Sequence, residues 1–200
     1  MSFTIRPYHP SDLTMLYRIC LLTGNRGKDA SDLYKDPDIL GHFYAAPYAV
    51  LEPELCLVVT CAALPCGYIL GTRDSALFYE RSEEEWFPPL RKRYPLPDEN
   101  DVSNDARIIR LMHKGHEVNS DLLDYPAHLH IDLLPQAQGQ GLGRKLIEMF
   151  TDKLREIGIT ALHLQVGKAN PGAIAFYERI GFHLIKEYEK AIALGMILKE

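Results

Sequence analysis

Gln138, Gly139, Gly141, Gly143 and Arg144 fall within seven residues, between an apolar alternating run and an amphipathic segment. Glycine has no Cβ, so an anion can approach the backbone closely. The first amides of a helix have no internal partner, and the helix dipole adds partial positive charge there. Arg144 contributes a full charge at the rim. Residues 138–144 therefore read as a cradle for a pyrophosphate. Two elements must position it. Ala127 to Leu134 alternates with period two, as a strand does, and Pro135, which has no amide hydrogen to give, stops it. From Arg144 to about Ile157, Leu146, Ile147, Phe150, Leu154 and Ile157 share one helical face.

Which pyrophosphate follows from what is missing. A dinucleotide fingerprint needs G-x-G-x-x-G, and counting from Gly139 puts Arg144 at the third glycine. It also needs an acidic residue about 20 positions on, where Ala161 to Val166 carries no carboxylate. No G-K-[ST] follows the glycines, so a P-loop falls too. What remains is Q-x-x-G-x-G at Gln138, Gly141 and Gly143.

A second chemical string is His128-Leu129-His130-Ile131-Asp132. Two imidazoles and a carboxylate at alternate strand positions are zinc donors in type. The usual hydrolase pattern continues with a histidine where Leu133 stands, and further ligands would have to come from His113, His116 or His163. A zinc hydrolase is kept as a rival reading.

Asn170-Pro171-Gly172-Ala173-Ile174-Ala175-Phe176-Tyr177 leads to Gly181-Phe182. Asn170 suits an N-cap, Pro171 the first helical position and Gly181 the C-terminal stop. With the glycine loop, in this order and at this separation, the chain resembles the GNAT superfamily of N-acetyltransferases. Tyr17 to Cys20, Gly67 to Thr72, Trp86 to Tyr94 and His130 to Asp132 are similar to one branch: the acetyltransferase-like C-terminal domain of O-GlcNAcases and its free-standing bacterial relatives. In animal members of that branch the cofactor loop has decayed; here Gln138, Gly141 and Gly143 stand.

The resemblance implies an α/β (α+β) fold with a mixed central sheet of about six to seven strands, splayed at the fourth and flanked by helices. It implies acetyl-coenzyme A as cosubstrate, with no metal. Its site would comprise Leu133, Leu134, Gln138, Gly139, Gln140, Gly141, Leu142, Gly143, Arg144, Asn170, Ala173, Phe176 and Tyr177. Main-chain groups of Leu133 and Leu134 would hold the pantetheine arm, and an amide there would bond the thioester oxygen. Tyr177 would protonate the departing sulfur, since a phenol near pKa 10 keeps its proton where a thiol near 8.5 leaves as thiolate. The competing reading makes Phe176-Tyr177 a core-facing aromatic pair. The acceptor is an amine, a small molecule or a protein lysine, attacking directly in a ternary complex.

An amine near pKa 10 must lose a proton before attack. Asp132, His130 and His128 share one strand face if alternation is unbroken, and Asp132 ranks first as base. A bulge would change which side chains face the cleft. A buried Asp132 bonded to neighbouring amides is the alternative. A module that holds acetyl-coenzyme A without turnover is the second functional reading.

Composition bounds these readings. With 200 residues, 46% hydrophobic and 24% charged, the chain suits a single GNAT domain over 1–200. A net charge of −5 argues against nucleic acid or an anionic membrane as partner. Met1 to Pro7 has no apolar signal core, and no run is long enough to span a bilayer. Cys20, Cys56, Cys61 and Cys66 form no C-x-x-C pair and read as mostly buried thiols, so the expected location is cytoplasmic. A monomer or homodimer is expected.

In chain order, the residues predict a strand at Phe3 to Arg6 and a helix capped by Ser11 or Asp12. A short helix through Ile39, Leu40 and Phe43 follows. Leu55 to Thr60 and Gly67 to Thr72 form a hairpin separated by Ala62 to Pro65. Residues 74–126, aromatic and proline-rich, with a helix at Arg107 to His116, read as an insertion capping the acceptor side, with a purely structural cap as the alternative. After a strand at Ala161 to Val166 and the Asn170 helix, Phe182 to Glu189 and Ala191 to Leu198 form a closing hairpin.

Overall fold

The structure is a computed structural model that describes residues 2–198. Seven strands form one sheet: β1 (Phe3–Pro7), β2 (Leu57–Cys61), β3 (Leu64–Thr72), β4 (Ala127–Leu133), β5 (Ala161–Gly167), β6 (His183–Glu187) and β7 (Ala191–Ile197), in the order β1-β2-β3-β4-β5-β7-β6. Every pairing is antiparallel except β4 with β5. That parallel pair holds only at Ala127↔Leu162 and His128↔His163, after which the strands part. The expected splay at the fourth strand is present, and it opens a cleft between β4 and β5.

Helix α1 (Leu13–Thr23) packs on β3 and β4, with Leu16 and Ile19 fully buried. Its expected cap is corrected. The Asp12 carboxylate turns back instead, taking two 2.7 Å bonds from Arg6 and one from the His9 amide. A bidentate guanidinium–carboxylate pair, with both partners charged, holds the carboxylate more strongly than a single backbone amide. Helices α2 (Ile39–Tyr44) and α3 (Ala46–Leu51) follow; α3 carried no signal beyond its apolar content.

The β2–β3 hairpin is tighter than the sequence suggests. Only Ala62 and Ala63 turn, at φ of 48° and 67°, and β3 begins at Leu64. A two-residue hairpin favours left-handed conformations at both central positions, normally marked by Asn or Gly. Two alanines gave no such mark.

Residues 74–126 fold as α4 (Ser75–Arg81), a π-helical turn (Ser82–Trp86), α5 (Phe87–Arg93) and α6 (Asn104–Lys114). Asp74 caps α4 by accepting from the Ala76 and Leu77 amides, and Ser103 caps α6 by accepting from Ala106. Pro88 and Pro89 sit in the first turn of α5, where no amide is needed. Phe78, Phe87 and Met112 are fully buried, and Trp86 Nε1 donates to the His42 carbonyl. The segment is thus a packed layer.

Helix α7 (Leu142–Glu156) buries Leu146, Ile147, Phe150 and Leu154 as the periodicity requires. Ile157 does not join them: the helix ends at Glu156 and Ile157 is 45% exposed. Helix α8 (Pro171–Arg179) precedes the β6–β7 hairpin. Cys20, Cys56 and Cys66 are buried free thiols and Cys61 is partly so. No helix among the described residues is long and apolar enough to cross a membrane.

Candidate active site

Where β4 and β5 part, a cleft of about 1140 Å³ opens. The end of β4, the 138–144 loop and α8 line one part of it. Cys20, the 24–28 loop, Tyr44 and Arg107 line the rest.

The loop leaves β4 through a helical turn at Pro135–Ala137. Gly139 and Gly141 have φ of 69° and 74°, and a Cβ at either would meet no atom within 4 Å. Their lack of side chain answers to the backbone shape and to the open space before it. Gly141 is the N-cap of α7, whose first internal bond runs from Lys145 N–H to the Gly141 carbonyl. The amides of Leu142, Gly143 and Arg144 accordingly have no acceptor among the described residues, while Arg144 is exposed at the rim. Gly143 has a different reason to be glycine: a Cβ there would lie 3.1 Å from the Phe176 ring, so it permits close approach of α8 to α7. Gln138 Nε2 donates to the Leu133 carbonyl at 2.8 Å. Leu142 lines the cleft but is largely buried.

Two of the expected binding residues lie outside the cleft lining. Gln140 is exposed on the loop, and Leu134 is turned into the core. Leu134 spends its amide on the Cys66 carbonyl and its carbonyl on the Ala137 amide. Antiparallel alternation then turns the Leu133 main chain to the opposite edge, towards the splay. The free strand edge is that of Leu133, and the expectation for Leu134 is corrected accordingly.

On α8, Asn170 Oδ1 caps the Ala173 amide at 3.2 Å, leaving its NH2 group without a partner among the described residues. Ala173, Phe176 and Tyr177 all border the cleft. Tyr177 does pack against Phe176 and Phe182, but its position on the lining keeps it from being only a core aromatic. Burial pushes its hydroxyl pKa well above the ordinary range, and the charge of Asp132 pushes the same way.

β4 pairs with β3 in unbroken register from His128 to Leu133, so no bulge interrupts the shared face. Tyr68 is the cross-strand partner of Asp132 and donates its hydroxyl to Asp132 Oδ2 at 2.7 Å. His130 Nε2 lies 2.9 Å from the same oxygen. The His130 ring is stacked between Tyr44 and Tyr68, at 6.2 and 5.7 Å. The alternative reading, an Asp132 bonded to neighbouring main-chain amides, is corrected: its partners are side chains. Cys20, from α1, brings its sulfur within 4.8 Å of the His130 and Asp132 donor atoms. Sequence reasoning assigned no role to Tyr68, Tyr44 or Cys20. The available signal for Tyr68 was the strand pairing, which places it opposite Asp132.

His128 belongs to another neighbourhood. Its Nε2 meets Tyr48 OH at 2.8 Å and its Nδ1 meets Ser75 Oγ at 2.7 Å. Burial drives its pKa far down, so the ring is neutral. His113 and His163 are engaged with the Tyr94 and Tyr125 carbonyls, and His116 lies among Phe43, Tyr79 and Phe87. The His128-centred zinc set is therefore not assembled. Of the 74–126 segment, only Arg107 and Ile108 reach the cleft; Trp86 and Tyr94 pack against His42 behind it. The lining carries Arg26, Lys28, Arg107, Arg144 and Arg179 against one carboxylate, Asp132.

Residues 120–182 match the family model described as "Acetyltransferase (GNAT) family". The crystal structure of SsHAT is 40% identical, with a TM-score of 0.95 over the whole of both chains. Protein O-GlcNAcase of Rattus norvegicus is 24% identical over 94% of this chain; the match spans only 21% of that protein. The [ribosomal protein bS18]-alanine N-acetyltransferase of Escherichia coli K12 is 42% identical over 62 residues, 31% of this chain and 42% of that one. Two structures of the same fold, at 15% and 14% identity with TM-scores of 0.58 and 0.61, contain acetyl-CoA.

Proposed function

The chain belongs to the GNAT family of acetyltransferases, and from that premise we propose that it transfers acetyl from acetyl-coenzyme A to a primary amine by direct attack in a ternary complex. The observation that carries the reading is the row of partnerless amides at Leu142, Gly143 and Arg144. They stand behind two open, left-handed glycines at the mouth of the cleft. That arrangement fits a diphosphate, and cationic Arg144 and Arg179 complement it.

When bound, acetyl-coenzyme A supplies an activated acetyl group and a thiolate leaving group. Gln138 fixes the loop to the strand end by its bond to Leu133. The open edge of Leu133 holds the pantetheine arm and offers an amide to the thioester oxygen. Tyr177, kept protonated by burial and by Asp132, holds the proton for the sulfur. Asp132, oriented by Tyr68 and joined to His130, removes the proton from the amine.

The cationic lining also bears on the acceptor. Arg26, Lys28 and Arg107 repel polyamines and lysine-rich peptides, and favour a small amine that carries a carboxylate or phosphate. The test is thiol release from acetyl-coenzyme A across a panel of such amines, with polyamines and peptides beside them. Amine-dependent release greatest with the anionic amines supports the reading. Saturable cofactor binding with no release from any amine would make the chain a binding module.

A further inference from the structure

Cys20, His130 and Asp132 arrive from two rigid elements, α1 and β4, and meet at the inner end of the cleft. Cysteine, imidazole and carboxylate together are the donor set of a borderline-soft divalent ion, not of calcium or magnesium. Their donor atoms lie within 4.8 Å of one another. In a tetrahedral zinc site, metal–donor bonds of about 2.0–2.3 Å place neighbouring donors about 3.4 Å apart. The His130–Asp132 pair, at 2.9 Å, must open slightly, and the Cys20 sulfur must close by up to about 1.4 Å.

Two further features favour a ligand site. Tyr68 bonds Asp132 through Oδ2 alone, as does His130, leaving Oδ1 without a hydrogen-bond partner among the described residues. An outer hydroxyl fixed on a ligand carboxylate is what tunes and orients metal ligands. The cleft also gives an ion a route in, since all three residues line it.

We propose that Cys20, His130 and Asp132 bind one zinc-class divalent cation, and that its occupancy blocks the acceptor end of the cleft. Binding converts the Cys20 thiol to thiolate with release of one proton, while the His130 proton that Nε2 shares with Asp132 moves to Nδ1 so that Nε2 can coordinate. A fourth position stays open to water. The bound ion occupies Asp132, which would otherwise take the proton from the amine, together with its partner His130. The binding claim stands apart from the acetyltransferase reading; only the blocking rests on it.

The test is titration of the chelator-treated protein with cobalt(II) chloride, read by absorbance, and with zinc chloride, read by calorimetry in two buffers of different ionisation enthalpy. The expected result is one ion per chain, a thiolate-to-cobalt charge-transfer band and release of about one proton. Cys20→Ser abolishes the band, and Cys20→Ser, His130→Gln and Asp132→Asn each weaken binding. Tyr68→Phe weakens it by about tenfold while its circular dichroism stays native. No saturable binding, or stoichiometric binding untouched by the first three variants, overturns the inference whether or not the protein acetylates anything. Once turnover is established, zinc competes with the amine and not with acetyl-coenzyme A; competition with the cofactor instead would overturn the blocking claim.

Discussion

Gln138 reaches back 2.8 Å to the main-chain carbonyl of Leu133, so the glycine loop is tied to the very strand residue whose edge faces the splay. The glycine loop and the Leu133 edge, proposed to hold the cofactor and its thioester, are therefore set in one relationship. Replacing Gln138 with Ala removes a single neutral hydrogen bond, about 1 kcal/mol. The KM for acetyl-coenzyme A should rise about fivefold to tenfold, with kcat little changed, in steady-state thiol-release assays. An unaltered KM would mean the tether has no part in cofactor binding.

Tyr177 lies on the cleft lining with its proton held tightly by burial. Tyr177→Phe should lower kcat about 100-fold and leave the KM for acetyl-coenzyme A within about threefold. Direct measurement of kcat across pH 6 to 9 checks this. Equal turnover by the two proteins throughout that range would remove the tyrosine from the chemistry.

Asp132 accepts from Tyr68 and meets His130, so loss of its charge leaves both side chains without their carboxylate. Asp132→Asn should reduce kcat by about 100-fold while calorimetry shows acetyl-coenzyme A still binding. A base role predicts the largest loss for amines of highest pKa. A uniform loss across amines would point to a structural effect.

Much of this site could be read before the fold was seen. The glycine spacing and the Asn170 to Phe182 pattern mark two walls of the cleft, because local backbone demands write themselves into local residue types. The acceptor half was less legible. Tyr68, Tyr44 and Cys20 reach Asp132 and His130 only through strand pairing and helix packing, and nothing in their immediate neighbours announces it. Gly143 fitted the right motif for a second reason, the Phe176 ring against it. The 74–126 segment packs as an insertion, but Trp86 and Tyr94 turn to His42 rather than to the cleft. Aromatic content foretells burial without saying against which partner.

Buried histidines give the fold an acid limit. Desolvation lowers the pKa of His116 from 6.5 to about 4, and lowers those of His42, His128 and His163 as well. The unfolded chain thus binds more protons than the folded one once the pH drops below about 6.5. The stability these neutral rings contribute is fully present above that value and is lost progressively towards pH 4. Calorimetric Tm should fall steadily from pH 7 to 4.5. His116→Leu, which also removes a buried unpartnered nitrogen, should flatten part of that slope. A Tm constant over this interval would contradict the assignment.

Titration calorimetry with coenzyme A, on the wild-type protein and on Gly141→Val, bears most directly on the pyrophosphate cradle. Gly141 has φ of 74° with open space in front of it, so valine strains the turn and fills the approach to the helix amides. The wild type should bind one equivalent saturably, and Gly141→Val, folded by circular dichroism, should show at least about a tenfold weaker Kd, or about 1.4 kcal/mol. No heat from the wild type, or equal affinity in the two proteins, would contradict binding at residues 138–144.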